Sequence, residues 1–251
     1  MCLVLVVVVA VVVFRLAFES IESVAVHVFP TDWEERIGHQ AYEDIKFLAF
    51  SDSKLPAGYQ SDIRASAYLM IRAAGLSRQP KIYFHSSELL GPNAIAFPGG
   101  PIVVTDELVE LLANPEEVLA VIAHELAHIE LRHSLRGVID VVGFSILVVL
   151  LFGADESVIE ELAAIAAGVI TLEGRRNHEK EADLAAIEYL SSIGGDPRNM
   201  LNVITKLSAY FCAAAGGDSI MNCESEELNW FSTHPTDADR IAYLEEAIYG
   251  Q

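Results

Sequence analysis

The chain has 251 residues, of which 52% are hydrophobic and 21% charged, and its formal net charge is −20. A chain of this length can bury a sizeable core, either as one large domain or as two small ones. Its acidic balance argues against nucleic acid as a partner, because a phosphate backbone needs a basic surface, and against electrostatic docking on anionic lipid.

The N-terminus carries an unbroken apolar run over residues 3–14, followed by Arg15. A membrane-spanning helix needs roughly 20 apolar residues, so residues 1–18 form a borderline span whose charge lies near one end, where it can snorkel. A cleaved signal peptide and a buried valine-rich strand are the alternatives. We interpret residues 1–18 as a membrane anchor or signal segment and residues 19–251 as one folded domain.

Periodicity and turn signals predict a few early strands followed by helices. The predicted strands cover 81–85, 93–97 and 101–105. The predicted helices cover 32–50, 61–75, 115–134, 156–172, 174–195, 196–211 and 234–250. A second apolar run at 141–153 is too short to span a bilayer and is interpreted as a buried or membrane-grazing helix. This order of elements predicts an α+β fold.

The helix predicted to run from 115 to about Ser134 has a marked start. Asn114 is expected to cap it, Pro115 to take its first position and Glu117 to close a capping box. This apolar helix carries the stretch VIAHELAHIELRH at 121–133. Burying unpaired polar side chains costs several kcal/mol, so the histidines and glutamates in it indicate a bound ion.

His124 and His128 are four residues apart and therefore lie on one helix face. Two imidazoles at that spacing can bind one Zn²⁺ ion, each at about 2.0–2.1 Å. Glu125 lies about 100° round the helix, where it reaches a water molecule rather than the ligand face. That is the placement of a general base beside a metal ion. The pattern predicts one zinc ion per chain.

The third ligand is expected in HEKEAD, residues 178–183. Glu179 and Asp183 are four apart and share a face, whereas Glu181 lies about 200° from Glu179. If Glu179 binds zinc, Asp183 can hold a ligand histidine through its other ring nitrogen. His178 is the rival ligand, but no partner lies at the matching spacing.

Two further histidines, His133 and His234, lie outside these two motifs or at their edge. His133 is five residues from His128, so it is expected to point off the ligand face and to be structural or exposed. His234 precedes Pro235 and follows a Gly-rich stretch. It can either donate a hydrogen bond to a developing oxyanion or simply start the last helix.

Cysteine is sparse, with Cys2, Cys212 and Cys223 as the three members. Cys212 and Cys223 flank a Gly-rich loop and can form a disulfide if the domain lies outside the cytoplasm. Two free thiols are the alternative. With the single N-terminal anchor, we expect a membrane-associated protein whose folded domain is extracytoplasmic.

The sequence resembles the membrane-associated zinc metallopeptidases that include the HtpX-type heat-shock proteases and the CAAX prenyl proteases. Four ordered stretches carry the resemblance, NAIAFPGGPIVVTDEL, VIAHELAHIELRHSLR, RRNHEKEAD and STHPTDADRI, and it covers about residues 93–244. The family's usual Ser-Arg before the third ligand is Arg175-Arg176 here. The long multi-span bundles of those enzymes have no counterpart, so the chain is similar to short relatives with one anchor.

The resemblance implies a mostly helical, zincin-like domain with a small sheet. It implies His124, His128 and Glu179 as zinc ligands, with Asp183 behind them. It also implies Glu125 as the base and His234 as a transition-state donor.

The resemblance also implies a substrate-binding edge strand. An extended peptide would pair by its backbone with a strand formed by Asn93, Ala94, Ile95 and Ala96. The expected function is zinc-dependent hydrolysis of peptide bonds in protein substrates, in membrane or envelope protein quality control. The alternatives are a catalytically silent, zinc-binding, chaperone-like module and a structural membrane protein whose acidic helices keep it solvated.

Overall fold

The structure is a computed structural model and describes residues 24, 26–137, 139, 176–214, 234 and 238–250. The predicted anchor at 1–18, the apolar run at 141–153 and the predicted helix at 156–172 lie outside these residues. Across the described ranges, no helix is both long and apolar enough to cross a membrane.

The described elements follow the predicted order of early strands and later helices. They are α1 (Thr31–Ala49), β1 (Ser51–Asp52), α2 (Ala57–Ala73), β2 (Ile82–Ser86), β3 (Ala94–Ala96), β4 (Ile102–Thr105), α3 (Asp106–Leu112), α4 (Pro115–Glu130), α5 (176–192), α6 (Arg198–Ala214) and α7 (Ala238–Tyr249). The mostly helical α+β prediction is confirmed. β1 and α3 were not predicted, and the boundaries of the other elements shift by a few residues.

The strands form one mixed sheet with the order β1-β2-β4-β3. β2 and β4 are parallel, and β3 pairs antiparallel with β4 through Ala94↔Val104 and Ala96↔Ile102. Within the described residues, β3 is therefore an edge strand with one free side. This is the position expected of the strand in NAIAF.

Helix α4 is the centre of the core. It is buried at Glu117 and at every position from Val118 to Ala127, and an α-helix that is apolar all round has to be buried. It packs against the sheet on one side and against α2, α3 and α6 on the others. The polar side chains that α4 carries between Glu117 and Ala127 are therefore enclosed by protein.

The start of α4 agrees only in part with the start predicted from the sequence. Asn114 caps it by accepting a hydrogen bond from the Glu116 amide at 3.0 Å, and Pro115 begins the helix. The predicted capping box is wrong. The Glu117 carboxylate does not close it but accepts a hydrogen bond from Lys206 Nζ of α6 at 2.7 Å. A hydrogen bond between two charged groups is stronger than one to a neutral amide.

The end of α4 also differs from the prediction. The helix stops at Glu130 rather than near Ser134, and Arg132 has a φ of 56°, in the left-handed region that a helix cannot continue through. Its guanidinium binds Glu34 of α1, with Nε 2.8 Å from Oε2, and Arg78 donates to the same oxygen at 3.1 Å. This buried cluster joins α1 to the turn after α4.

Helix α1 also approaches the loop between β3 and β4 very closely. A Cβ atom at Gly38 would lie 1.9 Å from the Pro98 carbonyl oxygen and 2.7 Å from that of Gly100. Only glycine allows this contact. The close approach holds the loop that follows the edge strand.

Candidate metal centre

Helix α4 brings two imidazole nitrogens to one point in the interior. The Nε2 atoms of His124 and His128 lie 3.0 Å apart, and His124 is fully buried. This follows from the spacing of four residues, which stacks the rings on one face, one turn apart.

Helix α5 adds a carboxylate to the same point. Glu179 is 3% exposed and lies with Oε2 3.4 Å from His124 Nε2 and Oε1 3.3 Å from His128 Nε2. Two ligands of a tetrahedral ion bound at 2.0–2.1 Å stand about 3.3 Å apart. The three donor groups therefore have the spacing and chemistry that suit a zinc-sized cation.

The protonation of His124 supports the same interpretation. Its Nδ1 lies 2.8 Å from Oδ1 of Asp183, so Nδ1 donates its hydrogen to this carboxylate and Nε2 is the ring nitrogen that faces the donor cluster. Burial alone would lower the pKa of His124, but the carboxylates of Glu179 and Asp183 outweigh it and raise the pKa to about 9. The surroundings of His124 thus favour a positive charge at this point.

Asp183 is held by two residues of α7. Arg240 donates from Nε at 2.8 Å and from Nη2 at 2.9 Å, and Tyr243 donates its hydroxyl at 2.6 Å. Burial would raise the pKa of Asp183, but the guanidinium and the bond to His124 lower it to about 2. Asp183 is therefore an ionised acceptor with a fixed orientation.

Arg240 is a functional candidate that the sequence reasoning missed. It is 2% exposed, and its Nη1 lies 2.9 Å from Oε2 of Glu179, so one guanidinium contacts both buried carboxylates of α5. Together with His234 and His124, it holds the pKa of Glu179 well below its usual value despite burial. The signal available in the sequence was its position within STHPTDADRI.

His234 lies inside this cluster and is 6% exposed. Its Nδ1 is 3.0 Å from Glu179 Oε1 and 3.2 Å from His124 Nε2, and its Nε2 is 3.4 Å from Glu125 Oε1. One donor atom of His234 lies within 4.8 Å of one donor atom each from His124, His128 and Glu179. This position is compatible with a donor to reacting groups and with a fourth ligand, and it is not that of a simple helix-start residue.

Glu125 points into the same enclosure without joining the ligand set. It is 1% exposed, and its Oε1 accepts no hydrogen bond in the part of the chain that the structure describes. A buried carboxylate oxygen without a hydrogen bond carries a desolvation cost. The geometry leaves this oxygen available for a water molecule or a substrate.

The remaining candidates from the HEKEAD stretch have other contacts. His178 stacks its ring on His133, with the centroids 4.3 Å apart, and does not belong to the donor cluster. Glu181 accepts from His133 and from Arg136. His133 is 4% exposed. This agrees with the prediction that His133 is a structural residue and not with the alternative that it is exposed to solvent.

The edge strand lies against the helix that carries the histidines. Asn93, just before β3, is fixed to Thr105 through its amide at 2.8 Å and its carbonyl oxygen at 2.9 Å. Ala94 is buried, whereas Ile95 and Ala96 are half-buried. The backbone on the free side of β3 has no strand partner among the described residues.

Two histidines one helical turn apart, a glutamate beside the first, and a carboxylate from a second helix define a metallopeptidase type of centre. The profile of peptidase family M48 matches residues 59–248. The chain belongs to this family, and the predicted resemblance to zinc metallopeptidases is confirmed.

Individual relatives agree with the family assignment. The chain is 28% identical over 86% of its length to the mitochondrial metalloendopeptidase OMA1 of Schizosaccharomyces pombe, and 32% identical over 62% to OMA1 of Arabidopsis thaliana. It spans only 61% and 29% of those two proteins. It is also 31% identical over 68% of its length to protease HtpX of Legionella pneumophila, of which it spans 70%.

Proposed function

We propose that this chain is a zinc-dependent endopeptidase that hydrolyses peptide bonds in protein substrates. The observation that carries the proposal is the convergence of three donor groups, His124, His128 and Glu179, within 3.0–3.4 Å of one another. Membership of a peptidase family and the names of the similar proteases support it.

The proposed resident metal is one zinc ion, bound by His124, His128 and Glu179. Two imidazoles and one carboxylate form the ligand set of several zinc peptidases and leave one position open. When bound, zinc polarises a carbonyl group and lowers the pKa of water towards 7. Asp183 and Arg240 keep the donor groups in the orientation that the ion needs.

The protein groups then have separate tasks. Glu125 takes a proton from the attacking water and passes it to the leaving amine. His234 donates a hydrogen bond to the oxyanion that develops at the scissile carbonyl. The free side of β3, formed by Ala94, Ile95 and Ala96, pairs with the extended backbone of the substrate. Asn93 fixes the start of this strand, because its backbone N–H and C=O both bond to Thr105.

We propose membrane or envelope protein quality control as the setting, with residues 1–18 as an anchor, residues 19–251 as the peptidase domain, and no nucleic acid as a partner. The apolar N-terminal run and the acidic charge support this. Near the N-terminus, Val24, Val28, Trp33 and Ile37 expose 52–68% of their surface, which suits the neighbourhood of a membrane. Cys212 is disulfide-bonded, which supports an oxidising, extracytoplasmic compartment.

The proposed function is tested with the variant Glu125→Gln in the full chain. We expect it to retain about one zinc ion per chain and to lose peptide cleavage, because the ligands remain while the base is absent. His124→Ala should lose both zinc and cleavage. Zinc is measured by elemental mass spectrometry, and cleavage by comparing the peptides released from a cell lysate by the two chains.

The control is Glu188→Gln, which alters an exposed glutamate on α5 and should change neither measurement. Undiminished cleavage by Glu125→Gln would contradict the mechanism. A wild-type chain that binds zinc and cleaves nothing would favour the zinc-binding, chaperone-like alternative.

A further inference from the structure

His133 lies just outside the donor cluster and contacts one of its members. Its Nδ1 is 2.9 Å from Nδ1 of His128, which is the ring nitrogen of His128 that faces away from the cluster. Its other nitrogen, Nε2, is 3.2 Å from Oε2 of Glu181 on α5. A chain of hydrogen bonds therefore leads from a proposed zinc ligand to a carboxylate whose side chain is 49% exposed.

The direction of these hydrogen bonds follows from the donor and acceptor capacity of each group. An ionised carboxylate only accepts, and Arg136 Nη1 donates to the same Glu181 oxygen at 3.1 Å. His133 therefore carries its hydrogen on Nε2 and donates it to Glu181. A neutral imidazole has one hydrogen, so the Nδ1 of His133 is an acceptor and His128 donates to it from Nδ1.

This direction leaves the Nε2 of His128 without a hydrogen, and it is this atom that lies 3.0 Å from His124 Nε2 and 3.3 Å from Glu179 Oε1. The reverse direction would place the hydrogen of His128 on Nε2, where it blocks an ion. It would also turn the lone pair of His133 Nε2 towards the Glu181 carboxylate, so two acceptors would face each other.

We propose that His133 is a positioning residue that fixes His128 in the tautomer able to bind metal, and that Glu181 sets the tautomer of His133. The inference rests on the zinc site proposed above. It gives the two histidine ligands matched support from α5, because Asp183 fixes His124 directly at 2.8 Å and Glu181 fixes His128 through one intervening imidazole. His178 stacks on His133 at an interplanar angle of 8° and keeps the His133 ring in its plane.

The first test compares the zinc affinities of full-length variants by competition with a chelator. His133→Leu removes the acceptor and should weaken zinc binding by about 10–100-fold, as losses behind a metal ligand usually do. His133→Asn keeps an oxygen acceptor near the Nδ1 position and should bind within a few-fold of wild type. Glu181→Gln should fall between them, because an amide can both donate and accept and no longer selects one tautomer.

Two exposed positions serve as controls. His39→Leu removes an exposed histidine of α1, and Glu188→Gln alters an exposed glutamate of α5, so both should bind zinc like wild type. A folded His133→Leu chain with wild-type zinc affinity would overturn the proposal.

The second test reads the tautomer itself by nitrogen NMR of ¹⁵N-histidine-labelled, metal-free wild-type protein, a signal that packing alone would not set. We expect the hydrogen of His128 on Nδ1 and that of His133 on Nε2. His128 protonated on Nε2 alone would overturn the proposal, even if His133→Leu failed to fold. A wild-type chain that binds no zinc would instead contradict the proposed function, and the NMR result would still decide the tautomer of His128.

Discussion

Arg240 and Asp183 form a buried, two-pronged ion pair directly behind the proposed metal site. Nε of Arg240 lies 2.8 Å from Oδ2 of Asp183, and Nη2 lies 2.9 Å from Oδ1. Both side chains are at most 2% exposed. The pair joins α7 to α5, so the last helix of the chain supports a carboxylate that orients His124.

The first prediction concerns removal of this guanidinium. Arg240→Gln should lower the free energy of unfolding by about 3–5 kcal/mol, because it leaves buried carboxylates without their partner. Arg240→Lys should lose less, since it keeps the charge but not the fork geometry. Urea unfolding followed by circular dichroism measures both variants.

The matched control for Arg240 is Arg198, which binds Asp196 through the same kind of fork on the surface, with a side chain that is 62% exposed. Arg198→Gln should leave the free energy of unfolding almost unchanged, because solvent screens exposed ion pairs. Equal losses at the two arginines would contradict a special role for burial at Arg240.

The second prediction ranks the acids of α5 by zinc affinity. Glu179→Ala should abolish stoichiometric binding, as the loss of a direct ligand. Asp183→Ala should weaken binding by about 10–100-fold, because His124 loses the acceptor that fixes it. Zinc content after dialysis, measured by mass spectrometry with Glu188→Ala as control, gives the ranking. Zinc retained by Glu179→Ala but lost by Asp183→Ala would reverse the assignment.

The third prediction concerns acid stability of the metal-free protein. Asp183 has its pKa lowered from 3.8 to about 2 in the folded chain, so its contribution is present above pH 3.8 and is lost as the pH falls towards 2. The loss from this fully buried group is about 2 kcal/mol, and Glu179 acts in the same direction. Urea unfolding of chelator-treated protein between pH 2 and 6 measures it.

Asp183→Asn should flatten the acid limb of that stability curve, whereas Asp62→Asn, at an exposed site of α2, should leave it steep. A wild-type curve without any decline between pH 4 and 2 would show that the Asp183 carboxylate is not paired as described.

The fourth prediction concerns location. Deleting residues 1–18 should move the protein from the membrane fraction to the soluble fraction, because that run is the longest apolar stretch near spanning length. Fractionation of cells that express the two chains measures it. A truncated chain that still sediments with membranes would assign the attachment to another segment, with 141–153 as the first to test.

Much of the candidate site was predictable because it depends on contacts along one helix. The spacing of four residues places His124 and His128 together in any α-helix, and the same rule pairs Glu179 with Asp183. The four matching motifs supplied the family, and the alternation of strand and turn residues predicted the edge strand approximately.

The helix ends were less accurate because partners distant in sequence decide them. Glu117 binds Lys206, 89 residues away in sequence, and does not form the predicted capping box. Arg132, which was predicted to be helical, lies beyond the end of α4 and binds Glu34, 98 residues away. Local propensity does not include the energy of such ion pairs, so the predicted end of α4 ran too far.

The sequence by itself therefore determined that His124 and His128 share one helix face and that Glu179 and Asp183 share another, since helix periodicity needs no tertiary information. Only the tertiary structure decided how the two helices meet, which placed Arg240 across both carboxylates and turned His133 and Glu181 towards His128. The physical reason is that buried charges and imidazole tautomers depend on the groups packed around them, and those groups come from α4, α5 and α7, which are separated in sequence by tens of residues.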